Sequence, residues 1–151
     1  LVSLPDLSGE TERIHALYKM VQINADFRPF ELDAGYFPAL QQTAGKLLRA
    51  SGIRRNGELL GFIVTLKDGD TAIAWHIGFD REAADQGLPL YLRLLHAAIA
   101  DTLALGCKEL SFGRTALEPK AALGAKPQPF SVLIRHRQPI LNKVKIGRAH
   151  V

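Results

Sequence analysis

The sequence predicts an α+β fold in which a mixed sheet contains an antiparallel meander and is flanked by helices. Two dipeptides predict the meander, because Asn56-Gly57 and Asp68-Gly69 each separate two apolar runs and are strong signals for tight hairpin turns. A third observation makes the sheet mixed: a long helical pattern follows the third strand and leads at once into a fourth. Such a strand-helix-strand connection favours a parallel crossover.

Length and composition are those of one globular domain. The chain has 151 residues, of which 47% are hydrophobic and 23% charged, so it can bury a core of its own. No apolar run approaches the roughly 18 residues of a membrane helix, and no signal peptide begins the chain. We therefore expect a soluble, cytoplasmic protein without a membrane span. The single cysteine, Cys107, has no disulfide partner and no ligand-spaced neighbour, which predicts a core residue and no metal.

Apolar periodicity sets the order of the elements. The predicted helices are residues 10–25, 33–42, 89–105 and a short one between 115 and 124, and the predicted strands are residues 46–54, 59–66, 71–79, 108–112 and 130–135. Ser8, Asp33 and Thr115 stand at predicted N-caps, whereas Gly45, Gly106 and Gly124 are placed to end helices. Pro89 suits the first position of the long helix.

The third strand carries a titratable residue among small ones. Strict alternation along this strand would place four residues on one face: Ala72, Ala74, His76 and Gly78. Small side chains beside a titratable one leave room for a ligand, so this face is a candidate site.

Charge is unevenly distributed along the chain. From Lys108 onward nine lysines and arginines face two glutamates, a net charge of +7, whereas the preceding residues sum to −3. A basic last third suggests an anionic ligand such as a phosphate, a nucleotide or a nucleic acid, and a solvated basic surface is the alternative.

Both ends of the chain look artificial. It begins at Leu1, and Ile146 to Val151 continue no periodic pattern. We expect these six residues to be read-through of a sequencing adapter, so that residues 1–145 form the domain and the chain is a fragment of a longer protein.

The order of elements, together with the stretch from Gly87 to Gly124, resembles the GNAT superfamily of acyl-CoA N-acyltransferases and, within it, the FemAB-like branch. The stretch contains a Leu-rich helix start, a Gly-terminated crossover, a strand ending in Phe-Gly, and a Lys shortly before Gly-Ala. Proteins of that branch often carry two lobes, so the resemblance implies a C-terminal lobe whose second lobe belongs to the same protein.

The loop before the long helix departs from the family pattern. GNAT proteins carry an Arg/Gln-x-x-Gly-x-Gly/Ala loop whose backbone N–H groups hold the CoA pyrophosphate, but here only Gln86 and Gly87 remain. A helix N-terminus still favours an anion at this place. We therefore predict that Gln86, Gly87 and Leu88 contribute to cofactor binding.

Three residues are predicted to be catalytic. His76 titrates in the range of a base that removes the proton of an amine, although a satisfied core histidine is the alternative. Tyr91 begins the long helix and, by the resemblance, would protonate the leaving thiolate, with a core aromatic as the alternative. Lys120 occupies the place where the resembling proteins have a site lysine, and it could also hold a phosphate. The alternative interpretation is that Lys120 is an ordinary surface lysine.

Arg114 and Thr115 share the predicted cofactor-binding loop with Lys120. The combined prediction is an N-acyltransferase that moves an acyl group from acyl-CoA, such as acetyl-CoA, to a primary amine of a small molecule or peptide. One alternative is a FemAB-like aminoacyl transferase of cell-wall synthesis, which would bind aminoacyl-tRNA and hence nucleic acid. Another alternative is a lobe that binds without catalysis.

Overall fold

The computed structural model describes residues 1–23, 31–113, 116–129 and 137. The chain divides into two compact units, Leu1–Gly113 and Arg114–Val151. The predicted strand at 130–135, the predicted tail at 146–151, and both Arg114 and Thr115 lie outside the described residues.

The first unit is a five-stranded sheet with helices. Its strands are β1 (Val2–Ser3), β2 (Leu48–Arg55), β3 (Glu58–Asp68), β4 (Thr71–Phe79) and β5 (Glu109–Ser111), and its helices are α1 (Thr11–Gln22), α2 (Tyr36–Ala44), α3 (Arg81–Asp85) and α4 (Leu90–Ala104). The strands lie side by side in chain order, β1 to β4 antiparallel and β5 parallel to β4. This confirms the predicted α+β class, the meander and the parallel crossover. The second unit contains α5 (Leu117–Ala122) among the described residues.

Tight turns and glycine helix ends lie where the sequence predicts them. Asn56 and Gly57 join β2 to β3 with φ angles of 51° and 86°, and Gly69 turns β3 into β4 with a φ of 59°. These are left-handed conformations that glycine and asparagine tolerate best. Gly106 follows α4 with a φ of 69°, and Cys107 beside it is buried, as predicted.

Three predicted N-caps are wrong. The N-cap of α5 is Ala116 and not Thr115, and the other two errors lie at α1 and α2. Ser8 opens a 3₁₀ turn ahead of α1, and its own N–H donates to Asp6 Oδ1 at 2.8 Å. Asp33 does not cap α2, because Gly35 occupies the N-cap position and makes no side-chain bond. In both places an extra turn of chain precedes the helix and moves its start beyond the reach of the predicted side chain.

Each face of the sheet has its own hydrophobic core. The face covered by α1 and α2 is built mainly from these buried residues: Leu4, Leu7, Ile14, Leu17, Tyr18, Phe37, Leu48, Phe62 and Val64. The face covered by α4 is built mainly from these: Leu60, Ile63, Phe79, Leu90, Leu94, Ala97 and Ala98. Apolar periodicity predicts the helices and strands, and these clusters show which side of each one is buried.

The predicted alternation along β4 is wrong. Val64 of β3 pairs with His76, but the next residue, Thr65, pairs with Ala74, so Trp75 is the extra residue of a β-bulge. Residues directly opposite each other share a face, so Ala74 faces α4 and His76 faces α1 and α2. A bulge shifts the side-chain alternation by one residue, so the small residues before it cannot line a site with His76.

Candidate active site

His76 lies at the centre of an aromatic cluster between β4, α1 and α2. Four rings meet the imidazole edge to face at centroid distances of 5.3 to 5.7 Å: those of Tyr18, Tyr36, Phe37 and Trp75. Edge-to-face contacts of this kind stabilise buried rings beyond the area that they bury. The bulge at Trp75 aims His76 into this cluster.

A hydrogen-bonded chain joins three members of the cluster. The Trp75 indole N–H donates to Tyr36 Oη at 3.1 Å, and His76 Nε2 lies 3.1 Å from the same oxygen. Because an indole N–H only donates, Tyr36 Oη accepts from Trp75, and its own O–H is available to donate to His76 Nε2. This arrangement requires a neutral imidazole whose proton is on Nδ1.

Burial keeps His76 neutral. It lowers the pKa of the imidazole from 6.5 to about 4, because the charged form would lose solvation among the surrounding rings. At neutral pH His76 is therefore an acceptor and a weak base. The expected role of His76 as a base is compatible with this protonation state, but its basicity is far below that of an alkylamine.

The edge of β4 beside this cluster is open. β5 pairs with β4 only from Thr71 to Ile73, opposite Glu109 to Ser111, whereas β4 continues to Phe79. Among the described residues no strand pairs with that edge beyond Ile73. Backbone N–H and C=O groups of an unpaired edge are available to an extended ligand that carries amide groups.

The N–H groups of the predicted anion loop are engaged within the loop. Gly87, whose φ is 93°, donates to the Ala84 carbonyl at 3.0 Å, and Leu88 donates to the Ala83 carbonyl at 3.2 Å. They end α3, a short helix that the sequence did not predict, and Asp80 Oδ1 caps its start by accepting from Ala83 N at 3.0 Å. At the start of α4 the Leu90 N–H donates to the Leu88 carbonyl at 2.7 Å and the Arg93 N–H to the Pro89 carbonyl at 3.1 Å, so the donors that point beyond the helix are those of Tyr91 and Leu92.

A cavity of about 280 Å³ borders this loop. Its lining is as follows: Arg55, Asn56, Glu58, Leu60, Asp80, Glu82, Ala83, Gln86 and Leu88. Three carboxylates face one arginine there, and Arg13, with contacts of 3.0 Å to Glu58 and 3.1 Å to Asp80, is already paired. The cavity contains the predicted residues Gln86 and Leu88, but its excess of negative charge disfavours a pyrophosphate.

Tyr91 lies in the first turn of α4, on the face opposite His76. Its ring packs against Phe79 at a centroid distance of 6.0 Å, and burial raises the pKa of its phenol. The hydroxyl therefore stays protonated through the neutral range, as a proton donor must. His76 and Tyr91 lie on opposite faces of the sheet. A ligand bound along the open edge of β4 would border both faces.

Lys120 is not the surface lysine that residue statistics favour. It lies on α5 of the second unit and is 5% exposed, and burial lowers the pKa of its ammonium group. Burial of a lysine is rare and usually has a functional or structural reason. Arg114 and Thr115, the other predicted residues of that stretch, lie outside the described residues, and Ala116 is the N-cap of α5.

Sequence reasoning missed Tyr36 and Trp75. Tyr36 is the first residue of α2, 40 positions before His76, so no local pattern connects them. Strict alternation along β4 predicts that Trp75 faces away from His76, and only the bulge brings the two side chains into contact. The one available signal in the sequence was a tryptophan next to a histidine on a predicted strand.

Comparison with known families identifies the fold. A family model described as "Acetyltransferase (GNAT) domain" matches residues 10–121. The chain belongs to the GNAT acetyltransferase family. The predicted enzyme class, an acyltransferase, is thereby confirmed, and so is the resemblance at the level of the superfamily. The assignment to the FemAB-like branch and the interpretation as a fragment stay predictions.

Solved structures of acetyltransferases share this architecture. Ribosomal-protein-alanine N-acetyltransferase from Brucella melitensis is 18% identical, with a TM-score of 0.61 over 89% of this chain and 96% of that one. Glucosamine-6-phosphate N-acetyltransferase from Arabidopsis thaliana is 10% identical, with a TM-score of 0.64 over 89% and 95%. Aminoglycoside N-acetyltransferase AAC(6')-Iy, solved in complex with CoA, is 14% identical, with a TM-score of 0.61 over 87% and 91%.

Because the sequence identities are low, each of these comparisons shows that the chain shares the fold of that structure and nothing more. No curated protein matches the chain. In the parts that the structure describes, no helix has the length and hydropathy to cross a bilayer. The same residues contain no group of three or more His, Cys, Asp or Glu side chains placed to hold a metal ion.

Proposed function

We propose that this GNAT domain transfers an acyl group from acyl-CoA to a primary amine, at the open edge of β4. The observation that carries the proposal is the end of β4–β5 pairing at Ile73, next to the bulge at Trp75. The pantetheine arm of CoA contains amide groups that can hydrogen-bond to such an edge as an added strand would. Its thioester would then lie at this edge, next to both faces of the sheet.

The start of α4 attracts negative charge. The N–H groups of Tyr91 and Leu92 and the positive end of the helix dipole favour an anion beside Tyr91, where the proposal places the departing thiolate. The residues from Lys108 onward carry a net charge of +7, which favours an anionic ligand, and the resemblance makes Lys120 a candidate to hold a phosphate. We do not route this contact through the N–H groups of Gly87 and Leu88, because both are engaged in ending α3.

Catalysis in this proposal rests mainly on proximity, with two proton transfers added. The amine nitrogen attacks the thioester carbonyl carbon, the carbon–sulfur bond breaks, and the nitrogen loses a proton. His76, neutral at physiological pH, accepts that proton through Tyr36, which faces its Nε2. Tyr91, kept protonated by burial, donates a proton to the departing thiolate.

Two measurements test the donor and the reaction. A thermal-shift titration with acetyl-CoA should raise the unfolding midpoint, since a ligand that binds only the folded state stabilises by about 2.7 kcal/mol at a hundredfold excess over Kd. Transfer to an amine is then followed by release of the free CoA thiol. An absent thermal shift at millimolar acetyl-CoA, with no thiol release, would contradict the proposal.

Tyr91→Phe isolates the proposed acid, because the ring that packs on Phe79 remains. We expect kcat to fall by about 10²-fold with the affinity for CoA unchanged, the size of a lost general acid. His96→Gln, on the exposed side of the same helix, is the matched control and should leave both quantities unchanged. Equal rates for Tyr91→Phe and the parent would remove Tyr91 from the mechanism.

A further inference from the structure

Ser111 is the last residue of β5, at the point where the edge of β4 becomes open. It pairs with Ile73 of β4, and Gly113, two residues later, leaves the extended conformation with a φ of 72°. Ser111 is exposed. Its hydroxyl therefore stands beside the edge at which the proposed function places the thioester.

The pairing of β5 places Ser111 on the face of the sheet that α1 and α2 cover. Its neighbours Leu110 and Phe112 both pack against the core on the α4 side, and successive side chains of an extended segment point to opposite faces. Its partner Ile73 lies opposite Leu66, which packs against the core on the side of α1 and α2. Both observations put the Ser111 hydroxyl on the side of the aromatic cluster.

The bulge brings that cluster close to this hydroxyl. Trp75 is the extra residue of the bulge, so His76 occupies the second residue step after Ile73 and not the third. Two steps along a strand and one strand across separate the Cα atoms of Ser111 and His76 by about 8 Å. A small group that is hydrogen-bonded on both sides fits such a gap, since each bond is about 2.9 Å long.

Tyr36 Oη supplies the second side of the gap. A hydroxyl has one proton to donate and two acceptor sites. The Trp75 indole N–H occupies one acceptor site, and the proton is donated to His76 Nε2. In the part of the chain that the structure describes, these bonds leave the other acceptor site of the oxygen for a ligand.

We propose that Ser111 binds the acceptor amine and selects primary over secondary amines. The amine nitrogen donates one N–H to Tyr36 Oη and the other to Ser111 Oγ, and the two bonds together aim its lone pair at the thioester carbonyl carbon. After attack, the nitrogen gives the first proton to Tyr36, which passes its own to His76. The second N–H stays on nitrogen in the amide product.

A secondary amine cannot make both bonds. Its single N–H is needed for the proton transfer through Tyr36, so that a carbon substituent would face Ser111. The inference rests on the proposed function, because it names the residue that selects the amine in that reaction.

Two pairs of amines test the selection, with acetyl-CoA as donor and release of the CoA thiol as the readout. Benzylamine is compared with N-methylbenzylamine, and glycinamide with its N-methyl derivative sarcosinamide. In the parent protein we expect the primary amine of each pair to have the higher kcat/KM. Ser111→Ala should lower that value about fivefold, the size of one lost hydrogen bond between neutral groups, and leave the secondary amine unchanged.

Control variants separate the hydroxyl from other effects. Ser111→Thr keeps a hydroxyl and should keep most of the preference. Ser3→Ala removes an exposed serine from β1, at the opposite edge of the sheet, and should change neither amine. The thermal shift with acetyl-CoA should be the same in Ser111→Ala as in the parent, and a loss there would make Ser111 a donor-binding residue and overturn the inference.

The bulk of the methyl group has a different signature. If bulk alone set the preference, Ser111→Ala would raise kcat/KM for the secondary amine and leave the primary amine unchanged, which would overturn the inference. An unchanged ratio in Ser111→Ala overturns it as well and leaves the proposed function standing. No thermal shift with acetyl-CoA and no thiol release with any of these amines contradicts the proposed function, and the inference falls with it.

Discussion

The two faces of the sheet are built from different chemistry. On the side of α1 and α2, aromatic rings enclose His76, and its ring nitrogen and the Trp75 indole meet at Tyr36 Oη. On the side of α4 the core is mainly aliphatic, with Phe79 and Tyr91 as its ring contact, and its polar atoms are less well satisfied. Thr65 Oγ1 and Asp101 Oδ2 are buried there without a hydrogen-bond partner among the described residues.

The polar groups of the two faces are satisfied to different degrees. Asp101 lies on α4 and accepts from Arg49 Nε at 3.1 Å and Ser51 Oγ at 3.0 Å, which ties the helix to β2 through one of its two oxygens. A satisfied polar network fixes the positions of its members, whereas a half-satisfied one costs stability. The face that would receive the acceptor is thus the more rigidly specified of the two.

The largest expected effect concerns one glycine on each face. A Cβ added at Gly78 would lie 2.4 Å from the Phe62 ring and 2.7 Å from the Tyr18 backbone nitrogen, so that α1 would have to move. One added at Gly61 would first meet the flexible end of Leu94 at 3.0 Å. Urea unfolding should show that Gly78→Ala destabilises by about 3 kcal/mol and Gly61→Ala by about 1 kcal/mol. Equal losses would mean that the two faces are packed alike.

The second expected effect is a pH dependence that belongs to the aromatic face alone. The pKa of His76 is about 4 in the folded protein and 6.5 in the unfolded chain, so the unfolded chain binds more protons between these values. Stability is therefore fully present above pH 6.5 and is lost as the pH falls towards 4, by about 3 kcal/mol in all.

Denaturant titrations at several pH values measure this slope, and His76→Gln should remove most of it. Asp80 has a lowered pKa as well, but its contribution is present above its ordinary value of 3.8 and is lost only below it. An unchanged slope between pH 4 and 6.5 in His76→Gln would show that another group binds the proton.

The smallest expected effects have opposite signs on the two faces. Thr65→Val keeps the shape of the side chain and removes a buried hydroxyl without a partner, so it should stabilise by about 1 kcal/mol. Tyr36→Phe removes the shared oxygen of the aromatic network and should destabilise by about 1 kcal/mol. Thermal unfolding of both variants measures the contrast, which would disappear if Thr65 were bonded to a buried water.

Much of the fold could be predicted because its signals are local. The turn at Asn56 and Gly57, the turn at Gly69 and the end of α4 at Gly106 each depend on a backbone conformation that few residue types tolerate. Element starts were less predictable, as Ser8 and Asp33 show, because a cap depends on where the preceding chain enters the helix. The short helix α3 carried no periodic pattern to reveal it.

The candidate site was predictable only in part. His76 and Tyr91 were singled out by residue type and position in their elements, and both lie beside the open edge or the helix start expected of a site. Their protonation states could not be predicted, because burial among residues distant in the chain sets them. The partnership of His76 with Tyr36 spans 40 positions and likewise depends on packing.

The sequence by itself determined the fold class and the meander of β2, β3 and β4, because turn residues and apolar periods act over a few neighbours, and the match of a family model to it shows membership of the acyltransferase superfamily. Only the tertiary structure decided which face His76 occupies and what surrounds it. The reason is the bulge at Trp75, which shifts the alternation of β4 by one residue and arises from pairing with β3 rather than from any pattern within β4.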